Sequence, residues 1–157
     1  MTLRGGIRYI GLVLILIVYI ASGLQNISNP SVSAALLAKS NFSKMLQMMG
    51  VDYTLRAADY TAVVQATGAV FLGFSLFILL GVGRCFFAFM LALATAVVTV
   101  TFHVNLENPL RISDNDLFHC MKNISVIGAL LFVAGSGHRT HRYTQACQEV
   151  QAAKKNR

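Results

Sequence analysis

Residues 60–104 read YTAVVQATGAVFLGFSLFILLGVGRCFFAFMLALATAVVTVTFHV. Two nearly unbroken apolar runs, 60–82 and 86–104, are separated by Gly83, Arg84 and Cys85 alone. Each run has roughly the 20 residues an α-helix needs to cross the hydrocarbon core of a bilayer. So short a connection can join them only as a tight antiparallel hairpin. Working outward, residues 7–24 (IRYIGLVLILIVYIASGL) form a further aliphatic run, with Tyr9 and Tyr19 near its ends, where amphipathic rings favour the membrane interface. Residues 117–137 (LFHCMKNISVIGALLFVAGSG) form a fourth, with Lys122 in its first turns and Gly135-Ser136-Gly137 as the expected stop. The fold class expected is all-α, a polytopic membrane protein built as a four-transmembrane-helix bundle. The bundle occupies residues 1–137 and a basic tail residues 138–157.

Composition points the same way. Apolar residues make up 55% of the 157 and charged residues 12%, too little polar surface for a soluble domain of this size. Four spans with short connections use most of the length, so no separate soluble domain fits. The formal charge of +7 is not arranged as a Lys/Arg stripe with interleaved aromatics, which argues against nucleic acid as a partner. Cys85, Cys120 and Cys147 are odd in number and widely spaced, so no disulfide framework is implied. The first run is longer than the core of a cleavable signal and is expected to be retained as a span that also directs the chain to its membrane.

Between the first two spans, SVSAALLAKSNFSKMLQMMG (31–50) places Val32, Ala35, Leu36, Phe42, Met45, Leu46 and Met49 at helical spacing. One amphipathic helix is expected, with Pro30 in its first turn, Asn29 as its cap and Gly50 at its end. Its apolar stripe would lie in the membrane interface or on the other helices, and Lys39 and Lys44 would face water.

The charges orient the bundle. Arg4, Arg8, Arg84, Arg139, Arg142, Lys154, Lys155 and Arg157 share one side with a single acid, Glu149. On the other side Lys39, Lys44, Arg56, Arg111 and Lys122 are balanced by Asp52, Asp59, Glu107, Asp114 and Asp116. All the net charge sits with the termini, so the positive-inside rule puts both ends in the cytosol or the mitochondrial matrix.

Small residues in the hairpin, notably Gly68, Gly73, Ala92 and Ala96, are expected to let the second and third spans approach closely. Thr67, Thr95, Thr99 and Thr101 are weakly polar and read as packing residues bonded across helices or to their own backbone. Arg4, Arg8, Arg84, Arg139 and Arg142 form a rim suited to lipid headgroups or a partner. His103, Glu107, Asp114, Asp116, His119 and Cys120 gather in the polar stretch 103–123, but without the short fixed spacing of a metal motif. That stretch reads instead as a loop turned at Asn108-Pro109, with an Asp capping the fourth span. No catalytic set, metal or cofactor is expected.

The order of elements, with Asn29-Pro30 before an amphipathic helix, Glu107-Asn108-Pro109 in the last loop and MKNISVIGALLFVAGSG (121–137) in the last span, resembles the DoxX-like superfamily. The likeness covers roughly residues 7–137 and rests on Lys122-Asn123 and Gly128-Ala129-Leu130-Leu131. It is closest in kind to the eukaryotic branches, the plant HR-like lesion-inducing proteins and the surfeit-four cargo receptors. The resemblance implies a compact four-helix membrane protein. Bacterial relatives are linked to quinone-coupled sulfur oxidation, but none of their catalytic motifs can be placed on residues of this chain. The expectation is a non-enzymatic accessory subunit contacting lipids and other integral membrane subunits, in a mitochondrial inner-membrane respiratory complex or ATP synthase. The alternative is an endoplasmic reticulum cargo receptor, for which Lys154 and Lys155 would form a dilysine-like retrieval signal. A quinone-linked redox subunit is the third and weaker reading.

Overall fold

The computed structural model describes residues 3–51, 53–104 and 113–155, with the side chains of 3–5 and 137–155 outside the description. Among the described residues, six α-helices follow in order: α1 Leu3–Ser28, α2 Pro30–Lys39, α3 Phe42–Met48, α4 Ala57–Leu80, α5 Arg84–His103 and α6 Asp114–Lys155. Four of them, α1, α4, α5 and α6, are long and apolar enough to cross a membrane. The chain is an all-helical, multi-pass membrane protein.

Both α1 and α4 bury a stripe stepping by three and four residues, the spacing that keeps one face of a helix on its neighbours. On α1 this is Leu12, Leu16, Tyr19 and Gly23; on α4, Val64, Gly68, Phe71, Ser75 and Ile78. Leu12, Leu16 and Tyr19 meet Phe71 and Ile78 of α4, Ala88, Leu91 and Ala92 of α5, and Leu130 of α6 in one core. The helices pair unequally: α5 packs most extensively on α6, and α1 on α4.

The α4–α5 hairpin turns through Gly81-Val82-Gly83, with both glycines at positive φ (81° and 57°), where a side chain would be strained. The amides of Gly81 and Val82 donate to the carbonyls of Ile78 and Phe77, the paired bonds of a Schellman ending. Within this hairpin, however, Gly73 does not bring α5 near. A Cβ built on it meets nothing within 4 Å. The close approach occurs between α4 and α1, where a Cβ on Gly68 would lie 2.9 Å from the carbonyl oxygen of Gly23, and a Cβ on Gly23 2.9 Å from that of Gly68. The expected burial of the second span against the third through these glycines is corrected accordingly: α4 turns Gly68 to α1 and takes α1 and α2 as its larger partners.

Four further expectations change. The segment between the first spans is two helices, not one. Ser40 is extended, its hydroxyl donates to the Leu37 carbonyl and accepts from the Phe42 amide, and the helical phase is reset there. Consequently α2 buries Ala34 and Leu37 and exposes Val32 and Leu36, while Phe42, Met45 and Leu46 of α3 are half-buried and Met49 is exposed. Asn29 makes no side-chain cap bond.

At the start of α6 the cap is Ser113, not an aspartate. Its Oγ accepts the Asp116 amide, as an N-cap hydroxyl does, and donates to the Asp116 carboxylate. Finally, α6 does not stop at Gly135-Ser136-Gly137 but runs on for 42 residues in all. Glycine costs a helix only about 1 kcal/mol per residue, and the proline-free stretch that follows, rich in Gln, Ala, Lys and Arg, sustains it.

Candidate functional site

Two polar links, one buried and one half-buried, hold the bundle's interior. Tyr19 Oη lies 2.6 Å from Thr95 Oγ1, and Asn123 Nδ2 donates to Thr99 Oγ1 at 2.9 Å. Thr95 and Thr99 also donate to the carbonyls of Leu91 and Thr95, one turn back. Together they tie α1 and α6 to α5 and give the Tyr19, Thr95 and Thr99 hydroxyls partners in the apolar interior, where an unmatched donor is costly; Ser75 Oγ, fully buried on α4, has none among the described residues. Tyr19 is thus a core residue near the middle of α1 and not an interface ring, because α1 continues to Ser28 and Thr95 supplies its partner.

At the loop end, His103 Nδ1 is 3.1 Å from Asp116 Oδ1, and the rings of His103 and His119 stack with centroids 5.0 Å apart. Cys120 is buried nearby on α6, and Lys122 lies over the Phe118 ring at 4.0 Å. This arrangement joins the end of α5 to the first turns of α6. Glu107, Arg111 and the Asn108-Pro109 turn lie outside the described residues. Among the described residues, no group of three or more His, Cys, Asp or Glu is placed to hold a metal ion.

The remaining predicted positions scatter. Arg84 Nε donates to the Ile78 carbonyl at 3.0 Å, so this cation serves the carboxyl end of α4, where positive charge is favourable. Arg8 is exposed on α1. Arg4 lies in α1, and Arg139, Arg142, Lys154 and Lys155 lie in α6, with side chains outside the description. Ala92 is buried in the core and Ala96 half-buried.

Two features have no counterpart in the residue-by-residue reading. The first is an outward face on α6. Its membrane-level part is only 6% buried, against 22–33% for the other three spans. Ser125, Gly128, Phe132, Gly135 and Ser136 are all exposed there and fall within about 100° of one another around the axis. Space for a Cβ is open at Gly128 and Gly135.

The second is a cavity of about 350 Å³ bounded by α1, α2, α4 and α5. Ser22, Gln25, Asn26 and Ser33 line it with polar groups, and Phe71 and Val97 with apolar ones. Asn26 Oδ1 accepts from Ser33 Oγ at 2.8 Å. Only the closing of α2 onto α4 creates this space, so no sequence spacing announces it.

Comparison with family models, with curated proteins and with solved structures finds no match. What the chain does must be argued from its geometry.

Proposed function

We propose that this chain is a non-catalytic integral membrane subunit, DoxX-like in organisation, that acts by helix contact within a larger mitochondrial inner-membrane assembly. The observation that carries the reading is the outward face of α6. A surface meant only for lipid tails gains nothing from small residues, whereas a neighbouring helix can approach closely over Ser125, Gly128 and Gly135. Phe132, 79% exposed, offers such a helix a large apolar contact beside them. The basic residues beside the termini support placing both ends in the matrix, and with α2 and α3 opposite them those helices belong at the far interface.

The test is affinity purification of the tagged chain in a mild detergent, with partner subunits identified by mass spectrometry. Defined integral membrane subunits co-purify with the native chain. Gly128→Leu lowers their recovery by about tenfold, the effect of roughly 1.4 kcal/mol, while Leu14→Phe on the outer face of α1 does not. Recovery of the native chain alone, as a monomer, overturns the proposal. Fractionation settles the membrane: Lys154→Ser with Lys155→Ser leaves a mitochondrial subunit in place. Escape of that variant to the Golgi or cell surface would establish the cargo-receptor alternative instead.

A further inference from the structure

The cavity between α1, α2, α4 and α5 carries the polar groups of Ser22, Gln25, Asn26 and Ser33 at one end, beside the apolar Phe42 of α3 and Phe102, and is mostly apolar deeper in. Gln25 and Asn26 belong to the last turn of α1 and Ser33 to the first turn of α2, at the end of the bundle where the first span leaves the bilayer. Val64 and Phe71 both line the cavity, and the step of seven residues from one to the other on α4 carries it about 10 Å deeper along the helix. At the polar end hydrogen-bonding capacity is left over: Ser22, Gln25 and the Asn26 Nδ2 have no partner among the described residues. None of the described lining residues is charged, so an ionic headgroup brought here would find no opposite charge to offset the hydration it gives up. Val97 is 52% exposed and lines the cavity too, so the space communicates with the surface that the bilayer covers. Its 350 Å³ is at the small end of the ~300–1,000 Å³ typical of ligand sites, enough for one chain and too little for two.

We propose that this cavity binds a neutral single-chain lipid of the monoacylglycerol class. Its glyceryl hydroxyls and ester carbonyl meet the amides of Gln25 and Asn26 and the hydroxyl of Ser22. The acyl chain runs inward past Phe71 and leaves beside Val97. This inference stands independently of the assembly reading, because the lining belongs to one chain and not to the outward face of α6.

The test is photolabelling of the reconstituted full chain with a diazirine-bearing monoacylglycerol, the labelled residues being read by mass spectrometry. The matching diazirine fatty acid serves as the charged control. The expected result is saturable labelling on α4 and α5 around Phe71 and Val97, competed away by unlabelled 1-oleoylglycerol. It exceeds labelling by the fatty acid by about tenfold, as the loss of one or two hydrogen bonds to the head implies. Val97→Trp fills the apolar end and abolishes most of the signal. Gln25→Leu, at an exposed position, reduces it while leaving thermal unfolding unchanged. Should the tryptophan variant fail to fold, competition on the native chain still decides. Equal labelling by the fatty acid, lack of competition, or labels spread over the outer faces of α1 and α6 as bulk lipid would leave them, each overturns the proposal.

Discussion

At Gly23 and Gly68 a single hydrogen atom in place of a methyl group sets how near α1 and α4 come. A Cβ on either glycine would sit under 3.0 Å from the other's carbonyl oxygen, and backbone cannot yield as a flexible side chain can. Gly68→Ala should therefore cost about 1–3 kcal/mol, the range of overpacking in a well-filled interior. Gly73→Ala, with nothing within 4 Å, should be neutral or stabilising by up to about 1 kcal/mol. Thermal unfolding of the two variants in the same detergent checks this, and equal melting temperatures would contradict it. The sequence shows small residues at 68 and 73 alike, and nothing in it tells which backbone each will face. Tyr19 is misleading for a related reason. A tyrosine near the edge of an apolar run reads as an interface anchor until Thr95, 76 residues away, is seen to supply the hydroxyl's partner.

Among whole elements, the four spans were legible because length and apolarity are cumulative properties of a run. Their buried faces were not, since a span that is apolar all round offers no contrast from which to read a face. The α2–α3 segment failed differently: its periodic pattern assumed one unbroken helix, and the turn at Ser40 and Asn41 changed the phase. What pins that turn is Asn41, whose amide donates to the Thr101 carbonyl and whose Nδ2 donates to the Val104 carbonyl at 2.7 Å. Asn41→Ala removes the second bond, worth about 0.5–1.5 kcal/mol. Hydrogen exchange should show faster exchange of the α3 amides with no change within α4 and α5. The same bond bears on modification. Asn41 heads an Asn-Phe-Ser sequon, but its side-chain nitrogen is engaged on α5, so a missing glycan says little about which membrane holds the protein.

For the molecule as a whole, four crossings place the α4–α5 turn at the same end of the bundle as both termini, and this follows from counting spans alone. The pairing of α1 with α4 and of α5 with α6 does not follow, because connectivity prescribes neighbours along the chain and not the extent of their contact. The topology has a direct chemical readout. Cys85 is exposed beside that turn and Cys120 is buried in α6. In a chain with Cys147→Ser, a membrane-impermeant maleimide should modify Cys85 only from the side that holds the termini. Cys120 should react only after unfolding. Reaction of Cys85 from the opposite side would refute the four-crossing arrangement.

The unbroken course of α6 has a mechanical corollary. At about 1.5 Å per residue its 42 residues extend for roughly 63 Å, about twice the thickness of a hydrocarbon core. The part beyond the bilayer is therefore geared to the part inside it, and any twist of one is a twist of the other. One alanine inserted after Ser136 swings everything downstream through about 100° and advances it by about 1.5 Å, whereas seven restore the heading to within about 20° and advance it by about 10 Å. A partner that grips both halves would be lost with one added residue and also with seven. A partner that senses only direction would return with seven, and native gel electrophoresis of the two insertions tells a rigid clamp from a compass needle.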